Sequence, residues 1–162
     1  MPTQTYTPLA TVTLGSSASS VTFSSIPATY RDLVLVFQSA ITSGSVGIKM
    51  NFNSDTGSNY STVRMYGSGS TTASDVNGDG TADIDVGYYG TSLSHTEIQI
   101  MDYSATDKHK IVLGRLTLTS TGYVTAEAAR WANTSAITSI VLQPRSSTFV
   151  AGGTFNLFGI AS

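Results

Sequence analysis

Apolar and polar residues alternate with a period of two along most of the chain. Residues 10–14 (ATVTL) and 21–24 (VTFS) carry an apolar side chain at every second position, the pattern of a β-strand with one buried face. Residues 32–38 (DLVLVFQ) are apolar at adjacent positions too, which predicts a central strand covered on both faces. Further strands are predicted at residues 48–52, 61–66 (with Val63 and Met65 on one face), 83–89, 97–102, 110–119, 123–130, 137–142 and 154–160.

These short strands, separated by turn residues, predict an all-β, single-domain β-sandwich, with a jelly roll as the favoured topology. Residues 124–131 (VTAEAARW) have a helix-favouring composition but also alternate, and we predict a strand there. A length of 162 residues suits one domain. We assign residues 1–9, with two prolines, to an N-terminal arm that pairs with a neighbouring subunit, and residues 10–162 to the sandwich.

Residues 68–80 (SGSTTASDVNGDG) depart from this pattern because Val76 is their only large apolar residue. The segment predicts a long exposed loop, and long loops are where such scaffolds often carry function.

Composition narrows the classes of function. Charged residues make up 11% of the chain and the formal net charge is −2, which argues against nucleic-acid or anionic-lipid partners. Cysteine is absent, so disulfides and thiolate chemistry are excluded. No apolar run approaches the roughly 18 residues of a membrane helix, and the first 13 residues do not resemble a signal peptide. The 24 serines and 24 threonines suit a hydroxyl-rich exposed particle surface.

One segment has the spacing of a calcium loop, D-x-N-x-D-G-x-x-D. Val86 replaces the bidentate glutamate of that pattern, and two turns at Asn-Gly and Asp-Gly are the alternative interpretation. The hypothesis is a structural Ca²⁺, with no other cofactor, held by Asp75, Asn77, Asp79, Thr81 and Asp83.

Catalytic motifs are weak. Residues 55–58 (DTGS) match the aspartic-protease tetrad, but the preceding residues are polar, and a turn is the favoured interpretation. His95 and His109 are the two histidines, and no G-x-S-x-G elbow accompanies them. The chain is therefore predicted to be non-enzymatic.

Aromatic residues offer a candidate binding surface. Trp131 with Tyr66, Tyr88 and Tyr89 suggests a platform for a sugar, although burial in the core or in a subunit contact is favoured. Trp and Arg are enriched at interfaces. The candidate interface residues are Tyr6, Pro8, Arg130 and Trp131.

Five stretches together resemble small β-rich structural proteins of tailed bacteriophages, including those of cyanobacterial hosts. The resemblance spans residues 6–160 and is carried by residues 25–35, 51–60, 100–104, 131–140 and 155–160. It implies a virion protein that works through assembly, as a capsid decoration (cement) protein or as part of a tail fibre or spike.

The resemblance implies as partners the major capsid protein and copies of the chain itself, with a trimer expected in preference to a dimer, and no nucleic acid or membrane. A start at Met1 and the lack of a recognisable shaft domain favour the capsid surface. The alternative is a tail module that recognises a host glycan or protein through residues 68–85. A secreted carbohydrate-binding module or hydrolase is the third hypothesis, and neither a signal peptide nor an acid/base pair supports it.

Overall fold

The computed structural model describes residues 5–119 and 122–161, with all their side chains except those of residues 77–79. The described chain contains no helix that is long and apolar enough to span a membrane. Its strands are β1 (Tyr6–Thr13), β2 (Val21–Phe23), β3 (Asp32–Ser39), β4 (Val46–Phe52), β5 (Tyr60–Gly67), β6 (Thr72–Thr81), β7 (Ile84–Tyr89), β8 (Ser94–Met101), β9 (Lys110–Leu118), β10 (Val124–Trp131), β11 (Ile140–Pro144) and β12 (Thr154–Ile160).

The strands form two antiparallel sheets of unequal size. The larger has eight strands in the order β1-β12-β3-β8-β9-β10-β5-β6, and the smaller has four in the order β2-β11-β4-β7. From β1 to β5 every connection passes from one sheet to the other, as in jelly-roll windings. The predicted all-β sandwich is confirmed, and the strand predicted at residues 124–131 is confirmed as β10.

The core lies between the two sheets because alternate side chains of each strand point to it. In β4, Ile48, Met50 and Phe52 are fully buried, and in β8 Ile98 and Ile100 face them from the larger sheet. Aromatic rings fill the space at both ends of this layer. One group consists of Phe37, Tyr89, Phe149 and Phe155, and the other of Phe52, Tyr60 and Trp131.

Trp131 belongs to this core, so its prediction as an interface residue is wrong. Its side chain is 1% exposed and stacks on Tyr60 at 6.3 Å between ring centroids. The indole Nε1 donates a hydrogen bond of 2.8 Å to Asp55 Oδ2. A large ring with one polar atom can be buried when that atom has a partner, and here the carboxylate supplies it.

The protease-like tetrad is a turn, as predicted. Asp55 Oδ1 accepts a hydrogen bond from the Gly57 amide at 2.8 Å, and Oδ2 accepts one from Asn59 Nδ2 at 2.9 Å. The hydrogen bond from Trp131 lowers the pKa of Asp55, an effect that desolvation opposes and the Gly57 and Asn59 bonds reinforce. Asp55 thus connects the turn to the core as an ionised acceptor.

The predicted loop at residues 68–80 is wrong. All but its first four residues belong to β6, which pairs with β5 from Tyr60↔Thr81 to Gly67↔Thr72, so only a short turn separates the two strands. Small polar side chains do not prevent strand formation at a sheet edge, because β5 supplies the backbone partners and one side of β6 remains in water.

The division into an arm and a sandwich also differs from the prediction. Residues 6–8 pair with residues 158–160 of β12, so β1 completes the sheet of its own chain. Pro8 stands at an edge strand next to a register shift, where a missing amide hydrogen is tolerated. Residues 1–4 lie outside the described ranges.

Trp131→Phe is expected to lower the free energy of unfolding by about 2–3 kcal/mol, because the ring stacking largely survives while a hydrogen bond to a charged acceptor is lost. Urea unfolding followed by circular dichroism measures the change. Asp55→Asn should also lower the stability, because its NH2 group must face either the Gly57 amide or the two donors Asn59 Nδ2 and Trp131 Nε1. An unchanged stability combined with a changed oligomeric state would return Trp131 to an interface role.

Candidate functional site

The larger sheet has one face turned away from the core, and we call this the outer face. Among the described residues, ten large apolar side chains are exposed, and eight of them project from this face. They are Tyr6, Val36, Val63, Met65, Val76, Ile111, Leu113 and Val124. Scattered exposed apolar residues are ordinary, but a contiguous group on one face indicates an interaction surface.

Strand register arranges these side chains in rows that cross the whole sheet. In the central row seven of eight residues are apolar, and the exception is a glutamine. Val63 is 49% exposed, Leu113 43% and Val76 69%. From β1 to β6 the central row is Pro8, Phe158, Val34, Gln99, Leu113, Ala128, Val63 and Val76.

A neighbouring row contains an ion pair. Arg115 Nη2 lies 2.7 Å from Glu97 Oε1 across β8 and β9. Three shallow depressions, the largest about 670 Å³, are all lined by Arg115. Their other lining residues include the apolar side chains Val36, Met65 and Val124 as well as polar ones such as Glu97 and Thr117. The outer face therefore combines apolar side chains with one ion pair, and Arg130 of β10 adds a further charge at an exposed position.

The smaller sheet presents a different surface to water. Its outward positions in register are Thr22, Val141 and Asn51 in one row and Gln143 and Lys49 in the next. Only one of these five side chains is apolar, and β7 adds Asp85 and the ring of Tyr88, which is 41% exposed. The two outward faces of the sandwich thus differ in chemistry, and the larger sheet carries the apolar one.

The predicted interface residues divide between the outer face and the core. Tyr6 and Pro8 lie on β1 and Arg130 lies on β10, all at exposed positions of the outer face. Trp131, the next residue along β10, points to the core because successive side chains of a strand alternate. Alternation grouped Val63 and Met65 on one face of β5 but did not indicate that this face is the outward one.

A second cluster of polar residues lies where β7 borders the inner surface of β5 and β6. Arg64 binds Asp75 through Nε at 3.1 Å and Nη2 at 2.5 Å, and its Nη1 lies 3.7 Å from Asp85. Its guanidinium also stacks over the Tyr88 ring at 4.9 Å. Burial lowers the pKa of Arg64, but Asp75 and Asp85 more than offset this and hold it above its ordinary value.

A second arginine completes this cluster from the other side. Arg145 binds Asp83, with Nη1 at 3.1 Å from Oδ2, and its Nη2 lies 3.6 Å from Asp85 Oδ2. Asp85 is therefore shared by two arginines. Sequence reasoning missed both arginines, because no local motif predicts ion pairs that form only when strand pairing and sheet packing bring the residues together.

The described part of the calcium motif does not form a cation site. Asp75 and Asp83 are neutralised by different arginines, and Thr81 Oγ1 donates to the carbonyls of Tyr60 and Asp83. Most of the motif lies in an extended strand, not in the tight loop that turns alternate carboxylates inward. The side chains of Asn77 and Asp79 lie outside the described set, and elsewhere in the described residues no group of three or more His, Asp or Glu is arranged to hold a metal.

Millimolar calcium is expected to leave the melting temperature unchanged, as is an excess of chelator, because the arginines already compensate the carboxylates. Differential scanning fluorimetry measures both conditions. A melting temperature that rises by several degrees with calcium, and falls again when chelator is added, would support the predicted calcium site.

Glu127 is the one carboxylate in this region whose described contacts leave an oxygen unsatisfied. It projects inward from β10, is 7% exposed, and its Oε1 has no hydrogen-bond partner. Gly87 leaves room for the Glu127 carboxylate, because a Cβ atom at position 87 would lie only 3.0 Å from Oε1. Burial, with a further contribution from Asp85 against the opposing charge of Arg64, raises the pKa of Glu127 to about 8.

This pKa makes stability depend on pH. A carboxyl whose pKa is raised by folding contributes stability fully below its unfolded value near 4.5, and that contribution is lost as the pH rises towards 8. The free energy of unfolding of Glu127→Gln, relative to that of the wild type, should rise by at most about 1.4 kcal/mol per pH unit between pH 5 and 8. Above that range the difference should not grow further.

Urea unfolding at a series of pH values measures this gain. Glu97→Gln removes an exposed carboxylate and controls for the change in net charge. A Glu127→Gln difference that stays constant from pH 5 to 9 would contradict the raised pKa.

Comparisons with known proteins do not assign the chain to a family. No protein-family model matches the chain, and no curated protein matches it. Among solved structures, a galectin, LEC-6 of Caenorhabditis elegans, is 9% identical with a TM-score of 0.40, covering 100% of this chain and 99% of the galectin. Two mutants of the alginate lyase Aly36B, solved with alginate oligosaccharides, are 10% and 8% identical with TM-scores of 0.31 and 0.33. The alignments cover 94% and 93% of this chain and 79% and 80% of those enzymes.

Proposed function

We propose that the chain is a non-enzymatic virion structural protein, a capsid decoration protein that stabilises the shell by contacts with major capsid subunits and with its own copies. The observation that carries the proposal is the outer face. A row that is apolar on seven of the eight strands crosses it, and the exposed side chains of such a surface gain free energy when a protein partner removes them from water.

The remaining surface is consistent with this role. Low charge and abundant hydroxyl groups suit a particle exterior, and the smaller sheet offers a polar face to solvent. The assignment to bacteriophage particles rests on the sequence resemblance, and the outer face adds a physical reason why such a protein would assemble.

A tail module that recognises a host glycan is the second candidate. The supporting observation is the aromatic group around Arg64: Tyr88 at 4.9 Å and Tyr66 at 5.7 Å from the guanidinium, and Tyr123 at 5.4 Å from Tyr66 between ring centroids. Aromatic faces beside charged and hydrogen-bonding groups suit a sugar ring. If the protein is a tail module, its receptor site is this cluster and not a long loop.

Location on the particle tests the proposal. An epitope tag inserted at Ser70, in the exposed β5–β6 turn, is imaged by electron microscopy on intact virions. Label over the whole head in lattice register is expected. Label confined to the tail tip would move the function to host recognition, and particles without label would overturn the virion assignment.

A companion experiment tests the outer face itself. Leu113→Lys places a charge in the central row and is expected to reduce head occupancy about 10-fold or more, since a charge at the centre of an apolar contact is costly. Thr22→Lys, at an exposed position of the smaller sheet, is the matched control and should leave occupancy unchanged. Equal occupancy for both variants would remove the outer face from the proposal.

A further inference from the structure

We propose that the partner of the outer face is the outer face of a second copy of this chain, so that two sandwiches associate as a two-fold symmetric dimer. The inference rests on the proposed function only in treating the outer face as an assembly surface. It goes further by naming the occupant and the symmetry.

The size of the face matches what a stable dimer needs. Eight strands about 4.8 Å apart span about 34 Å, and four rows of outward side chains spaced about 6.8 Å along the strands span about 20 Å. The resulting area of about 700 Å² is close to the ~800 Å² that each partner buries in a standard specific interface.

The chemistry of the central row suits burial against a copy. Its central row is apolar except for Gln99, and the alanines at 126 and 128 leave space for the partner's larger side chains. Glu97 and Arg115 already neutralise one another within one chain at 2.7 Å. Dimerisation would therefore not strand either of these charges without a partner, which is the costly event when ionised groups are buried.

The number of apolar outward faces on one chain favours a dimer. In a two-fold dimer the same patch on each copy meets itself, whereas a trimeric ring needs two different complementary patches on every copy. Within the described residues the apolar side chains concentrate on one outward sheet face, and the other is polar. This arrangement favours the dimer over the trimer that the sequence resemblance led us to expect.

Sedimentation equilibrium of the full chain across a micromolar concentration range provides the first test. The wild type is expected to be a dimer, Val63→Lys and Leu113→Lys should each weaken dimerisation about 10-fold or more, and Thr22→Lys should not. A monomeric or trimeric wild type would overturn the inference, as would lysine variants that dimerise normally.

Thiol reactivity locates the contact even if the lysine variants fold poorly. The chain has no cysteine, so Ala128→Cys introduces a single thiol in the central row and Thr22→Cys a single thiol on the smaller sheet. Alkylation of the first should slow as protein concentration rises, while alkylation of the second should not. Equal alkylation rates for the two variants at every protein concentration would place the dimer contact elsewhere and contradict the proposal.

The two proposals fail independently. A monomer that still decorates particle heads would leave the decoration role intact and remove the dimer. A dimer that forms through the outer face but is absent from virions would keep the dimer and remove the decoration role.

Discussion

The unequal size of the two sheets is the constraint on which the rest of this structure depends. A strand has two faces, and a sandwich covers only the faces that another layer reaches. Here the smaller sheet and its connections cover the inner face of the larger one, and nothing in the described chain forms a layer over the outer face. The apolar side chains of the outer face are the direct consequence, and the assembly role follows from them.

The ends of the core are held by polar groups whose hydrogen bonds are satisfied. Asp55 accepts the indole hydrogen of Trp131, and Lys110, fully buried, donates to the carbonyls of Ala105, Lys108 and Thr134 at 2.7–3.2 Å. These contacts join loops to the sandwich without disulfides. They explain how a cysteine-free chain with few charges holds its turns in place.

The Arg64 cluster has a different character. Arg64 binds Asp75, Arg145 binds Asp83, and both arginines lie near Asp85, while Glu127 remains close by with an unsatisfied oxygen and a raised pKa. This charge network is only partly buried, and desolvation of its buried members offsets much of the attraction between the charges. Its response to pH is a separate property from assembly through the outer face.

The sequence by itself determined the fold class, nearly all the strands, the turn at residues 55–58 and the apolar character of the core, because these depend on local alternation and turn chemistry. It missed β6, whose small polar residues become a strand only because β5 supplies hydrogen-bond partners. Tertiary structure alone decided that Val63 and Met65 face outward, that Trp131 faces inward, and that the carboxylates of the calcium-like motif bind arginines. The physical reason is that alternation divides a strand into two faces without stating which one another layer will cover, and that ion pairs form only between residues that strand pairing and sheet packing bring together.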